Sequence, residues 1–474
     1  MRFVNRATEL ERLDALVAAG RPGLVAVWGR RRIGKTRMLL EWCRKHGGLY
    51  SVADLSAEPV QRRYFAEALS SRFPGFSEAE YPDWRALFRA LAREAARTGW
   101  KGPLVLDEFP YWVESSPPLP SVLQSFVDHE AQEAGLLVVI CGSSQHMMQG
   151  LTLTRQAALF GRTVATIPLG PMSPQALSEA IEVGRTVDCV RSFAAWGGVP
   201  RYWELAQSFG DDLDAAVERL VLDPTGPLHL EPDRLLVEER PPALAVRALL
   251  DAIGSGAHRV SEIAGRLGVP ATSLARGLSR LIELGLVTRQ QPFGESGRGG
   301  KRSLYTIADP FVRLWFRVVA PHRALLAAGT RQTRLALWRK HRSALCAQTW
   351  EDLCRQVVPK LATDQITRGR FDGWTPAGRF WRGSGPEWDV VAESLDGRRV
   401  LLGEVKWREA PATPEALGRY CRELAAKGLP PVPRKREDAV VVRIVFVPET
   451  TASRGALPEG CRVVTAREVV RALG

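Results

Sequence analysis

The sequence predicts a multidomain α/β chain, and three observations carry that expectation. At 474 residues the chain is too long for one hydrophobic core and divides into about three or four modules. Near the amino terminus an apolar run, Leu24 to Trp28, leads through a glycine-rich loop into a helical pattern. Far downstream, two strand-like runs flank Asp396-Gly397, a strong hairpin signal.

Composition narrows the function classes. Hydrophobic content of 45% and charged content of 25% are globular values, and no stretch approaches the roughly 18 consecutive apolar residues of a membrane span. The start, MRFVNRATEL, lacks the apolar core and cleavage site of a secretory signal, so a soluble cytoplasmic protein with no membrane partner is expected. Seven cysteines, odd in number, scattered and never CxxC, read as reduced, mostly buried thiols rather than a disulfide framework or zinc site. A net charge of +13 suits a nucleic-acid binder and equally suits general surface charge. Arginine dominates the cations, which makes Lys35 and Lys406 stand out.

The loop is Gly29-Arg30-Arg31-Arg32-Ile33-Gly34-Lys35-Thr36, with Arg37 opening the helix beyond it. GxxxxGK[ST] between a strand and a helix is a phosphate cradle for ATP or ADP. Backbone N–H groups and the helix N-terminus face phosphate oxygens, Lys35 reaches the β/γ-phosphates, and Thr36 offers its hydroxyl to Mg²⁺. A second buried run, Leu104 to Leu106, ends in Asp107 and Glu108. Asp107 is expected to hold the magnesium through water and Glu108 to polarise the attacking water. A third run, Leu136 to Cys141, brings Ser143 to a neighbouring strand end, where it could sense the γ-phosphate. Arg162 of Phe160-Gly161-Arg162 could stabilise transition-state charge in cis or in trans. A trans arginine would need a dimer or ring, so a homo-oligomer stays open.

These residues, with FVNR (Phe3 to Arg6), Glu9, CGSS and GGVPRYW (Gly197 to Trp203), resemble an archaeal-type P-loop ATPase of the STAND/AAA+ class. The resemblance implies that Gly198-Val199-Pro200 contacts the adenine, that Phe3 to Arg6 borders the base, and that a helical lid covers roughly 166–235.

Helical spacing resumes after Pro241-Pro242, through Leu244 to Ile253 and VSEIAGRLGVPATSLARGLSRLIELGLV. Ser261 is expected to cap the second helix, Gly268 to end it, and Leu274, Leu278, Leu281 and Ile282 to form the stripe of the third. A hairpin of 287–292 and 303–307, joined by GESGRGGKR, completes a winged helix-turn-helix. DNA contact would rest on Thr272, Ser273, Arg276 and Arg280, with Arg298, Lys301 and Arg302 on phosphates; such modules also serve as protein–protein spacers. The basic stretch Leu429 to Asp438 reads as an exposed linker.

The segment Tyr305 to Val319 resembles the linker joining such ATPases to a carboxyl-terminal domain of unknown function 234, which implies a restriction-endonuclease-like α/β core. The residues permit an independent test. Trp350, Leu353, Val357 and Leu361 form one helical stripe beside Glu351, and a later helix spans about 414–426. With Asp396 and Gly397 central to a two-residue turn, Asp389 faces Glu404 and Glu387 faces Lys406. Two carboxylates that close call for a cation such as Mg²⁺ between them. Lys406, on the same strand face as Glu404, completes the D…ExK pattern of PD-(D/E)xK nucleases. Trp388 stands where the motif's name puts proline.

The expected organisation is an ATPase core at 1–165, lid at 166–235, winged helix at 236–315, helical linker at 316–345 and nuclease-like domain at 346–474. Two functions fit it: a metal-dependent nuclease acting on DNA under ATP control, or an ATP-dependent signalling switch whose nuclease-like domain is inactive. They part on whether Glu404→Ala abolishes strand cleavage.

Overall fold

The computed structural model describes residues 4–181, 184–238, 243–295, 302–361, 373–431, 439–453 and 460–474. Phe3, Pro241, Pro242, Arg298, Lys301 and residues 432–438 of the basic stretch therefore lie outside the described residues. Contacts divide the chain into two compact units: Asn5–Pro171 with Val199–Arg201, and Met172–Gly198 with Tyr202–Gly474.

The first unit is built on five parallel strands, β1 (Gly23–Trp28), β2 (Leu49–Val52), β3 (Leu104–Asp107), β4 (Leu137–Gly142) and β5 (Thr163–Pro168). Their order is β2-β3-β4-β1-β5. Residues of β1, β3 and β4 are buried end to end, which explains why each reads as a continuous apolar run. The helix Trp84–Thr98 shows how the flanking layer is specified. Asp83 caps it by accepting from Ala86 N–H at 2.7 Å, and Trp84, Leu87, Phe88, Leu91, Ala92 and Ala95 bury one face. Gly99 at φ 67° lets the chain turn away. Its aromatics join a core in which Phe65 meets Trp112 edge-on with centroids 5.2 Å apart and Phe88 stacks on Phe126 at 4.8 Å.

The second unit opens with helices Pro174–Ile181, Thr186–Trp196, Leu213–Val217 and Glu231–Glu238. Helices Ala243–Gly254, Val260–Leu267 and Ala275–Glu283 follow, then the antiparallel pair β6 (Val287–Gln290) and β7 (Leu304–Ile307). Gly268 ends its helix at φ 66° as expected. The cap does not. Arg259 occupies the N-cap, and Glu262 supplies the missing acceptor for the N–H groups of His258 and Arg259 at 2.9 and 3.0 Å, leaving Ser261 inside the first turn. Ile282 is exposed, one residue round from the stripe that buries Leu274, Leu278 and Leu281.

The helix Arg331–Val357 runs 27 residues without a break across position 345, and buries Trp350, Leu353 and Val357 on one face. A second sheet follows, ordered β12-β11-β10-β9-β8, with β8 (Gly378–Phe380), β9 (Trp388–Glu393), β10 (Arg399–Val405), β11 (Val440–Val447) and β12 (Cys461–Thr465). β8, β9 and β10 are antiparallel, while β10, β11 and β12 are parallel. The helix Pro414–Ala426 makes the crossover between β10 and β11. β12 and the last helix, Ala466–Ala472, extend the expected αβββαβ order.

Candidate functional site

The structure gathers the candidate residues into two constellations. The first lies at the carboxyl ends of β1, β3 and β4. After Trp28 the chain enters a tight loop in which Arg32 (φ 67°) and Gly34 (φ 94°) adopt left-handed conformations before the helix Lys35–His46 begins. Gly29 cannot carry a side chain: a Cβ would stand 2.6 Å from the Leu169 carbonyl oxygen. Lys35 is buried, and its ammonium donates to the carbonyls of Gly29 and Arg30 at 2.9 and 3.1 Å. Arg30 is also buried, whereas Thr36 and Arg31 face solvent.

Arg6 secures this loop from outside it. Its guanidinium donates to the Ile33 carbonyl at 3.0 Å and the Gly170 carbonyl at 2.9 Å, and pairs with Glu9 at 3.0 Å. Burial lowers its pKa and Glu9 opposes that. FVNR drew attention to Arg6 as a neighbour of the base; its bolting of the loop was not legible, because both partners are backbone carbonyls remote in sequence.

Asp107, fully buried, gathers three donors. Thr36 Oγ1 approaches Oδ2 at 2.8 Å, the Tyr50 hydroxyl bonds the same oxygen, and Glu108 N–H bonds Oδ1 at 2.8 Å. Tyr50 carries no motif signal and reaches Asp107 only because β2 lies beside β3. Burial and the adjoining carboxylate hold its phenol protonated, with the pKa pushed well up. Glu108 is strained at φ 50° where β3 turns into the helix Phe109–Ser115, and its Oε2 accepts from Ser143 Oγ at 3.0 Å and Ser143 N–H at 3.3 Å. Gly142 permits this approach, since a Cβ there would lie 2.7 Å from Pro110 Cδ.

Arg162 stands on different partners: it pairs with Asp128 at 3.4 Å and donates to the Phe160 carbonyl at 3.0 Å. Pro200 opens the helix Pro200–Ala206, and by contacts Val199–Arg201 belongs to the unit that holds the loop.

The second constellation lies on β9 and β10. Val400 pairs with Glu393 and Gly403 with Val390. This is the register that a two-residue turn would give, although the turn itself is longer. Ser394 N–H bonds the Arg399 carbonyl at 3.0 Å, leaving Leu395–Arg398 as the loop, with Asp396 Oδ1 accepting from Ser394 Oγ at 2.5 Å and Arg398 N–H at 3.0 Å. Two extra residues, one per side, preserve the pairing. Continued one step, the ladder sets Asp389 beside Glu404, and Asp389 Oδ2 accepts from Val405 N–H at 2.9 Å.

Glu404 is buried, and both oxygens carry ammonium groups: Lys406 at 2.8 Å and Lys427 at 2.5 Å. Burial pushes the Asp389 pKa up, the Val405 N–H opposes this, and the Glu404 charge adds to it. Glu351 is raised in the same way, by burial and then by Asp389. For Lys406 burial works downward, but the Glu404 carboxylate prevails and the pKa is raised. Glu387 pairs with Arg379 at 2.9 Å, not with Lys406. Among the described residues, no group of three or more His, Cys, Asp or Glu gathers as a metal cluster.

A hydrogen-bonded chain reaches this site from β7. The buried Arg313 donates to the Ile307 carbonyl at 2.8 Å and to Asp352 at 2.6 Å, Asp352 accepts from Arg355 at 2.7 Å, and Arg355 donates to the Asp389 carbonyl at 3.2 Å.

Comparison with known proteins agrees with the first constellation. Residues 3–204 match a family described as an ATPase domain predominantly from Archaea. Residues 315–417 match domain of unknown function 234, described as archaeal and bacterial proteins of unknown function. The latter match includes Glu351, Asp389, Glu404 and Lys406 and ends before Lys427. An uncharacterised protein of Methanocaldococcus jannaschii is 26% identical over 408 residues, 86% of this chain and 88% of its own. Among solved structures, the Walker-type ATPase PABY2304 of Pyrococcus abyssi superposes with TM-score 0.52 at 18% identity, covering 67% of this chain and 96% of its own. The Aeropyrum pernix ORC2 protein gives 0.46 at 12% identity, with 72% and 95% covered. Among the described residues no helix is long and apolar enough to cross a membrane. The chain thus carries an archaeal-type ATPase domain at residues 3–204 and a domain of unknown function 234 at 315–417, and is a P-loop ATPase.

Proposed function

We propose that the chain couples ATP hydrolysis to action on DNA, and that the Asp389–Glu404–Lys406 constellation cleaves phosphodiesters with a divalent cation. The observation that carries the second part is the β9–β10 register, which sets the half-buried Asp389 beside the buried Glu404, with a lysine on the same face.

At the loop, Lys35 binds phosphate oxygens and the N–H groups opening the helix Lys35–His46 add their dipole. Thr36 and Asp107, already 2.8 Å apart, fit a magnesium ion, which supplies charge neutralisation at the β/γ-phosphates when bound. Glu108 orients water once Ser143 releases it, so the pair acts as a catch on the general base. Pro200 adjoins the base and Arg162 adds transition-state charge if its pairing with Asp128 opens.

In the second unit the helix pair 260–283 and the β6–β7 hairpin form a winged helix-turn-helix. Thr272, Ser273 and Arg276 are exposed for contact, while Arg280 is held by Glu283 at 3.2 Å and Arg302 by Glu295 at 2.8 Å. Asp389 and Glu404 stand side by side as oxygen donors; burial and the neighbouring carboxylates raise the pKa of Asp389 and Glu351, a cost that a divalent cation between them would relieve. Such a cation supplies Lewis-acid chemistry on the phosphodiester; Lys406 holds the phosphate oxygen.

The signalling-switch reading draws on one observation, the engagement of both Glu404 oxygens by lysines. Cleavage of plasmid and single-stranded DNA with Mg²⁺ or Mn²⁺, with and without ATP, separates the two. Cleavage abolished by Glu404→Ala and altered by Lys35→Ala supports the gated nuclease. No cleavage alongside intact ATP hydrolysis supports the switch.

A further inference from the structure

Lys427 lies beyond the D…ExK motif and is the C-cap of the helix Pro414–Ala426. Its ammonium nonetheless reaches the centre of the carboxylate site. It bonds Glu404 Oε2 at 2.5 Å and the Glu387 carbonyl at 2.8 Å, and its charge also acts on Asp389. One carboxylate oxygen, one backbone carbonyl and a second carboxylate nearby form an oxygen-rich donor set of the kind hard divalent cations take. Lys406 differs, since it bonds Oε1 from the same strand at 2.8 Å and lies over the Tyr420 ring, 5.6 Å from its centroid.

We propose that Lys427 is a built-in counter-ion occupying the cation position beside Glu404, so that a divalent cation binds there only when the Lys427 ammonium leaves. The proposal rests on the reading of Asp389 and Glu404 as a cation site. The physical case is charge economy. Two adjacent carboxylates, one buried and one half-buried, repel without a cation, and one ammonium relieves that repulsion in the metal-free protein. An ammonium and a divalent cation both held at Oε2 would repel each other at close range, so they compete. The side chain can leave: it is a flexible four-carbon stem, 24% exposed, at the helix end where Gly428 (φ 66°) turns the chain away. Lys427 is thus a positioning residue that sets the cation concentration at which the site loads.

The test is Mn²⁺ binding to the full-length protein without nucleotide, read from the electron paramagnetic resonance signal of free Mn²⁺. Wild type is compared with Lys427→Met, Lys427→Arg and Glu404→Ala. Removing the charge in Lys427→Met is expected to tighten Mn²⁺ binding by about tenfold or more, while Lys427→Arg stays weak. Circular dichroism and a cooperative thermal melt of both units establish that each variant is folded, and Lys427→Gln replaces Lys427→Met if the latter is not. Binding that is lost in Glu404→Ala but unaltered or weakened in Lys427→Met overturns the counter-ion role and leaves the cation site standing. Absence of Glu404-dependent Mn²⁺ binding in wild type and Lys427→Met alike overturns both.

Discussion

Replacing Arg6 with alanine tests whether the phosphate loop is held from outside. The guanidinium makes two charge-assisted bonds to the Ile33 and Gly170 carbonyls, at 3.0 and 2.9 Å. Such bonds are worth about 1.5–3 kcal/mol each, and breaking a buried charged network by removing one partner costs about 3–5 kcal/mol. We therefore expect a loss of about 3–5 kcal/mol and, at about 2–4 °C per kcal/mol for units of this size, a fall in Tm on the order of 10 °C. Arg6 also sits at φ 74°, a left-handed conformation that a non-glycine residue occupies at a cost of about 1 kcal/mol or more. Arg6→Gly loses the same bonds but relieves that strain, so it should melt a few degrees above Arg6→Ala. The assay pairs differential scanning calorimetry with the affinity of a fluorescent ADP analogue, which should weaken in both variants. A fall of less than about 2 °C in Arg6→Ala with unchanged ADP affinity refutes the reasoning.

Two further outcomes follow from the second sheet. Asp389 has a raised folded pKa, so its stabilising contribution is present at low pH and lost as pH rises through the folded value. Asp389→Asn mimics the neutral form; it should melt above wild type at about pH 7.5, and the difference should vanish below about pH 3.9, where the unfolded side chain is also protonated. Thermal melts across that range check it. Gly403→Ala puts a Cβ 2.8 Å from Val390 Cβ and 3.0 Å from Phe446 Cε2, an overpacking that should cost about 1–3 kcal/mol in urea unfolding.

The parallel sheet was legible because its strands are uninterrupted apolar runs, and the loop because phosphate binding imposes a fixed spacing on Gly29, Gly34, Lys35 and Thr36. The β9–β10 register was legible because a hairpin's parity survives a change of loop length by one residue on each side. What escaped depends on tertiary proximity. Tyr50 meets Asp107 through strand order, and Lys427 meets Glu404 across a helix crossover. The capping role expected of Ser261 went instead to Glu262, because a backbone donor can be satisfied from either side of the helix start.

The chain from Ile307 through Arg313, Asp352 and Arg355 to the Asp389 carbonyl bears on how this protein can be cut and recombined. A fragment beginning at residue 346 would sever the helix Arg331–Val357 and strip Asp352 of Arg313. The smallest transplantable form of the carboxylate site thus reaches back to the β6–β7 hairpin, and a graft that omits the hairpin carries Asp389 with its backbone anchor detached from the support behind it.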